Sequence, residues 1–407
     1  MNVPSMPMVK AAFTGDVALG GAYLEKARPA DAAMTYPFTS LAPLWDDLDL
    51  LVVNLEGPIG TAGTKRGGQA TLLHNHPDIL EWMEQFPCCV CSLANNHAMD
   101  FGGEALAKTR ETLEARGIHC VGAGRDAREA GKALRVEVRG LAVGFLAFTT
   151  AERHVGSVLA SDHGPGSCGW PGIEAARTRV ASLAREVDAV VVMLHWGHEY
   201  FHYPSPEQVA WCRELAAAGA SLVIGHHPHV PQGHEMAGDT LICHSLGNLI
   251  LPETKAANER IQYRKPATKE FAVLKADLTR GKVAAWRVVG GRCNRRYELR
   301  PYAGRAADQF SRRLSGLSDP LRQTDYRGFW ESYASRRRRQ LSVESIRDAA
   351  VKMARTDFRT LLRTLSFEDL KRNAGRLAGM LSPGHRAATA GAREEDRSPA
   401  PVPSEKR

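Results

Sequence analysis

The 407-residue chain contains no run approaching the roughly 18 consecutive apolar residues of a membrane-spanning helix. Its start, Met1 to Lys10, lacks the apolar centre of a secretory leader, so a cytoplasmic protein is expected. Thiols are few: there are eight cysteines and no pair of CxxC motifs, and Cys88, Cys89, Cys91 and Cys243 sit inside apolar runs. That pattern argues against a disulfide framework and against a zinc site built from thiolates, and it fits buried thiols in a reducing compartment. Acidic residues are outnumbered, 45 Asp and Glu against 53 Lys and Arg, which leaves a net charge of +8. The excess is local, because arginines concentrate after about residue 290, with the run Arg336 to Arg339, while the first 250 or so residues carry mixed charge. No aromatics interleave that run, so a nucleic-acid partner is not expected. A solvated helical surface, or a peripheral contact with acidic lipid or a membrane partner, fits it better.

What is present is an ordinary globular composition, 43% hydrophobic and 24% charged, enough for one large domain with an appendage or for two smaller ones. From residue 9 to about 225 one unit repeats: a short apolar or β-branched run, a polar loop, then an amphipathic segment of helical length. Strands are expected at Val9 to Phe13, Leu50 to Val53, Cys88 to Ser92, Leu141 to Phe148, Val190 to Leu194 and Leu222 to Ile224. Helices are expected near 77–86, 103–116, 173–186 and 206–218, the last two opened by Pro171 and Pro206. Beyond residue 225 the rhythm changes to short strands, Thr240 to Cys243, Phe271 to Ala276 and Val283 to Val289, with a turn at Arg280-Gly281 and an earlier hairpin at Arg139-Gly140. The expected fold is α/β, two mixed sheets in a sandwich flanked by helices. That domain is expected over residues 1–300, a basic helical extension over 301–381, and a disordered tail rich in Pro, Gly and charge over 382–407.

Five polar clusters follow or end the apolar runs: Gly15-Asp16, Asn54-Leu55-Glu56, Asn95-Asn96-His97, His195 to Glu199, and Gly225-His226-His227-Pro228-His229. Loops at the carboxyl ends of parallel strands converge on one edge of a sheet, so residues distant in sequence become neighbours. Singly, most have structural uses: Asp16 can cap a turn, Asn54 and Glu56 can bond loop backbone, and His195 can be a satisfied core histidine. Three histidines within four residues at the end of a buried strand are harder to explain without a ligand. Carboxylate, amide oxygen and imidazole together suit Mn²⁺, Fe²⁺ or Zn²⁺. One ion, or two held about 3.5–4 Å apart by a bridging carboxylate, would generate a nucleophilic water near neutral pH, and a nearby imidazole could protonate the leaving group.

At these residues the sequence resembles the CapA family of poly-γ-glutamate capsule synthesis, itself similar to the calcineurin-like metallophosphatases. The resemblance covers about residues 10 to 255 and rests on FTGDVALG at 13–20, NLEGPI at 54–59, SLANNHAMDFGGEAL at 92–106, GIHCVGAG at 117–124, HWGHEY at 195–200, AGASLVIGHHPHVPQGHE at 218–235 and HSLGNLI at 244–250. It implies a two-sheet αββα sandwich of the metallophosphatase type. It also implies Asp16, Glu56, Asn96, His195, His227 and His229 as ligands of one or two divalent ions, with His97 and Glu199 as catalytic residues. Asn54, His226 and Asn248 are implied to hold substrate or to orient a ligand. Two features depart from the pattern: Ala18 stands where metallophosphatases carry a histidine two residues after the first Asp, and Glu56 replaces a bridging Asp. The activity implied is metal-dependent hydrolysis of a phosphoester or amide bond in surface-polymer metabolism. The alternative is a non-catalytic accessory subunit that binds an anionic polymer beside a synthetase, within a polymer-synthesis complex.

Overall fold

The computed structural model describes residues 7–21, 23, 36–67, 71–150, 155–255, 261–262 and 266–355. The chain divides into two compact units, Met1–Ser335 and Arg336–Arg407. Both sheets and every candidate site residue belong to the first; the described part of the second, 336–355, is helical. The leucines expected to line a helix between 361 and 381, and the tail from Ser382, lie outside the described residues.

The first sheet is built on β1 (Val9–Val17), β2 (Leu50–Leu55), β3 (Cys89–Ser92) and β4 (His119–Val121), all parallel, with the helix α1 (Gly102–Ala115) between the last two. The second begins with the hairpin β5 (Leu134–Val138) and β6 (Leu141–Thr149), turning at Arg139-Gly140 as expected. It continues through α2 (Ile173–Ala184), β7 (Ala189–His195), α3 (Pro206–Ala217) and β8 (Leu222–His226), then β9 (His234–Ala237) and β10 (Thr240–Cys243). Its strand order is β9-β10-β8-β7-β6-β5. The chain then returns to the first sheet with β11 (Asn248–Ile250), β12 (Glu270–Thr279), β13 (Lys282–Cys293) and β14 (Leu299–Pro301), giving the order β14-β13-β12-β1-β2-β3-β4, with β11 also paired to β1. Two helices follow, α4 (Arg305–Ser318) and α5 (Tyr326–Arg355). Among the described residues no helix is long and apolar enough to cross a membrane.

Alternation along the strands explains the layers, since successive side chains point to opposite faces. Val9, Ala11 and Phe13 of β1, Leu50 and Val52 of β2, Val191 and Met193 of β7, and Leu222 and Ile224 of β8 share one core between the sheets. Leu51, Val53 and Leu55 face a second core with Trp82 and Leu106, and Val190, Val192, Leu194 and Val223 face a third with Val180, Leu183 and Leu215. Three apolar layers between four layers of secondary structure make the αββα sandwich expected from the sequence. Apolar side chains on both faces are what parallel strands covered on each side require. The helix α3 is fixed at its start by a capping box, in which Ser205 Oγ accepts from Gln208 N–H and Gln208 Oε1 accepts from Ser205 N–H, with Pro206 next to the cap.

Candidate metal centre

The site forms where the carboxyl ends of the two sheets meet, and two glycines allow the meeting. A Cβ on Gly15 would lie 2.0 Å from the Gly247 carbonyl oxygen, and one on Gly225 would lie 1.8 Å from that of His244. Beyond Gly15, β1 exchanges its neighbour β12 for β11, with Asp16 opposite Asn248, and Asp16 N–H donates to Gly247 O at 2.9 Å. The strand therefore runs on through Asp16 to Val17, past the expected end at Phe13. On the second sheet β8 includes His226, whose Nε2–H donates to Thr14 O of β1 at 3.1 Å. His226 thus joins the sheets through backbone. Burial lowers its pKa, which keeps it neutral for that task.

Asp16 and Glu56 are fully buried, and together with His229 they present ligand atoms within 4.8 Å of one another. His229 Nδ1 donates to Asn248 Oδ1 at 2.8 Å and lies 3.1 Å from Asp16 Oδ2. Asn248 Nδ2 in turn donates to Thr268 O at 2.9 Å. Asn248 thereby orients the His229 ring toward the two carboxylates, as a partner behind a metal-binding histidine does. Burial pushes the Asp16 carboxyl upward, but the hydrogen bond to His229 and the electrostatic pull of the surrounding histidine rings outweigh it and hold Asp16 well below the carboxylate range. His227 N–H reaches Asp16 Oδ2 at 3.3 Å, and the His227 ring lies 5.0 Å from that of His195 and 5.7 Å from that of His229.

His227 and His229 both have positive φ, 92° and 58°, as does Tyr200 at 65°. Such a conformation costs a non-glycine residue about 1–3 kcal/mol and persists where surrounding contacts impose it. The Tyr200 N–H donates to Pro228 O at 2.8 Å, joining the two loops that carry these residues.

His195, at the end of β7, is engaged on both ring nitrogens. Its Nε2–H donates to Asn96 Oδ1 at 2.9 Å, and its Nδ1 lies 3.2 Å from Asn54 Nδ2, which also donates to Asp16 Oδ1 at 2.8 Å. Burial first, then the charge of His227, lowers the His195 pKa well below its ordinary value. It is therefore a neutral imidazole with the proton on Nε2, the tautomer both amides call for. Its Nδ1 is 3.9 Å from Asp16 Oδ1 and its Nε2 3.8 Å from Glu56 Oε1, so ligation by His195 requires one amide to release it. Asn95 donates to Leu55 O at 2.8 Å and fastens the loop after β3 to β2.

His97 lies at the mouth, its side chain 12% exposed, with Nε2 3.9 Å from Glu56 Oε1. Its Nδ1 is 2.6 Å from Asp100 Oδ2, a buried carboxylate that also accepts from Leu73 N–H at 2.7 Å. Asp100 fixes the His97 tautomer and turns its other nitrogen toward the site. Sequence reasoning missed this role, although the i, i+3 spacing of His97 and Asp100 in one loop was a signal for it. Glu199 is exposed on the loop after β7, and its charge acts on His229. Ala18 is buried with Leu73 and Leu251, so an apolar patch stands where a further histidine ligand would be expected. All eight cysteines are free thiols, and none of them belongs to the candidate ligand set.

The six expected ligands Asp16, Glu56, Asn96, His195, His227 and His229 thus lie in one contiguous buried cluster. A family profile described as bacterial capsule synthesis protein PGA_cap matches residues 10–253. The chain belongs to the PGA_cap family. Its relatives include the PGA biosynthesis protein CapA of Bacillus subtilis (strain 168), 28% identical over 285 residues that cover 67% of this chain and 72% of the relative. The capsule biosynthesis protein CapA of Bacillus anthracis is 30% identical over 224 residues, 54% of each chain. A Mycobacterium tuberculosis protein named for polyglutamine synthesis as an accessory protein is 30% identical over 223 residues, 50% of this chain and 55% of its own. The match thus spans little more than half of the last two relatives. Among solved structures, a hypothetical protein from Thermus thermophilus is similar at a TM-score of 0.43 and 17% identity, covering 70% of this chain and 99% of its own. The NAD nucleotidase of Haemophilus influenzae is similar at 0.38 and 12%, covering 82% and 68%. Scores this low say nothing about chemistry, which depends on the side chains of this PGA_cap member.

Proposed function

We propose that this PGA_cap protein is a metal-dependent hydrolase of capsule or surface-polymer metabolism, acting on a phosphoester or amide bond of a poly-γ-glutamate-like substrate. The observation that carries this reading is the convergence of Asp16, Glu56 and His229 in a buried cleft, with His97 held on Asp100 at its mouth. Two buried carboxylates beside imidazoles are a donor set for Mn²⁺, Fe²⁺ or Zn²⁺. Asp16, Glu56 and His229 would hold the ion, with His227, Asn96 and His195 completing its surroundings. A bound divalent ion supplies an acidified water and polarises the scissile bond. The chain's own residues do the rest. His97, oriented by Asp100, delivers a proton from Nε2 to the leaving group. Asn54 and Asn248 keep Asp16 and His229 in place, and Glu199 at the rim meets the substrate or adjusts the charge of His229. The Arg336 to Arg339 run fits a contact with an acidic surface, either lipid or the polymer itself.

A specific observation favours a second reading, an accessory subunit that binds an anionic polymer beside a synthetase. Ala18 packs in an apolar patch and both His195 nitrogens are taken by amides, which leaves fewer donors than a two-metal hydrolase uses. Purification without chelator, metal analysis by mass spectrometry and assays on an activated phosphodiester and a γ-glutamyl amide separate the two. About one equivalent of metal or more is expected, with turnover lost in the His227→Ala, His229→Ala double variant. Asp100→Asn should keep the metal and lose about 10- to 100-fold in turnover. Undiminished turnover in the double variant overturns the hydrolase reading, and polymer binding without metal or turnover selects the accessory role.

A further inference from the structure

The family match ends at residue 253, yet the first turns of α5 grip the loop that begins at His195. The Tyr333 hydroxyl accepts from His202 N–H at 2.7 Å, and the Tyr333 ring stands 5.7 Å from Phe201 and 4.8 Å from Tyr203, edge-on to both. Tyr203 also meets Phe329 at 4.9 Å, and Tyr326 Oη donates to Pro204 O at 2.8 Å. The same loop carries Tyr200, whose strained backbone donates its N–H to Pro228 O, between the two strained histidines. Three of the five non-glycine residues with positive φ among the described residues therefore lie in two loops joined by the Tyr200 N–H to Pro228 O bond and by a second bond from Gln232 Nε2 to Phe201 O at 2.8 Å. Strain of this kind relaxes once the contacts imposing it are loosened.

We propose that the aromatic face of α5 clamps the 197–203 loop onto Pro228 and so holds His227 and His229 in their strained, ligand-presenting conformation, with Tyr333 as the positioning residue. The metal arm of this inference rests on the reading under Proposed function; the clamp itself rests only on the contacts named here. Tyr333 meets the loop at residues 201–203, and its effect on His227 and His229 travels through that loop. A residue that merely stabilises the fold would lower the unfolding temperature without selectively changing metal affinity or exchange at the loop.

The test uses the full chain and its Tyr333→Phe and Tyr333→Ala variants, with Mn²⁺ alone as the probe in calorimetric titration and amide hydrogen exchange as the second readout. Tyr333→Ala is expected to weaken Mn²⁺ binding at least tenfold and to speed exchange at Tyr200 and His202 at least tenfold, while amides inside β8 keep their protection. Tyr333→Phe, which removes only the acceptor of the His202 N–H, is expected to speed exchange at His202 and to weaken Mn²⁺ severalfold. If Tyr333→Ala does not fold, the Phe variant decides alone. Mn²⁺ affinity within twofold of wild type in a folded variant overturns the proposal, whether or not exchange has changed. If the wild-type chain binds no Mn²⁺, the metal reading fails, and exchange at Tyr200 then decides the clamp: faster exchange in the variants supports it and unchanged exchange overturns it.

Discussion

His229 lies beside two carboxylates with Nδ1 shared between Asn248 and Asp16. Burial alone would lower its pKa, but the charge of Glu56 and the hydrogen bond and charge of Asp16 reverse this and raise it from 6.5 to about 9. A group whose pKa is raised on folding contributes stability that is complete below its unfolded value and is lost as pH rises through the folded one. Chelator-treated protein should therefore show an unfolding temperature that declines from about pH 6.5 through pH 9, and His229→Gln should flatten that decline; thermal melts across the range check it. The histidines and carboxylates were visible in the sequence because each stands at the end of an apolar run. What each does was less visible. Asp100 sits in the loop after β3 like any helix-preceding acid, and only the fold brings its carboxylate against His97 and the Leu73 amide. The occupation of both His195 nitrogens by Asn54 and Asn96 also depends on contacts across 141 and 99 residues of sequence.

Strands and helices were legible wherever periodicity ran uninterrupted. The expected helices 103–116, 173–186 and 206–218 correspond to Gly102–Ala115, Ile173–Ala184 and Pro206–Ala217. The helix expected over 77–86 is only Ile79–Met83, a short segment that carries the buried Trp82. β1 and β8 run further than the periodicity indicated, because a glycine that reads as a break serves in each as a point of close approach. At Gly225 and Gly15 the neighbouring carbonyls leave no space for a methyl group. Gly225→Ala is expected to cost about 3 kcal/mol or more, since backbone rather than a flexible side chain would have to move. Gly316→Ala, in the exposed interior of α4 with nothing near the added carbon, should instead gain about 0.5–1 kcal/mol. Denaturant unfolding of the two variants checks both signs. The β11 strand, three residues long, offers too little pattern to read, yet its Asn248 is what holds His229.

Across the whole molecule, Asp16 and Glu56 come from one sheet and His227 and His229 from a loop of the other, so an ion bound as proposed would tie the two halves of the sandwich together. Saturation at about 100 times the dissociation constant contributes about 2.7 kcal/mol. Scanning calorimetry should show the unfolding temperature rising by several degrees with added Mn²⁺ and falling back with chelator; a curve that ignores the ion would count against the cluster as a metal site. The layered fold was readable from the rhythm of the elements, but the return of the chain to the first sheet was not, because antiparallel strands late in a sequence do not announce their partners. That return has a consequence for synthesis. β1 leaves the ribosome well before its neighbour along Val9–Thr14, which is β12, ending at Thr279. Until β12 has been made, the strand bearing Asp16 has an open edge available to any other extended chain. Expression of the 10–253 segment alone would make that unfinished edge permanent.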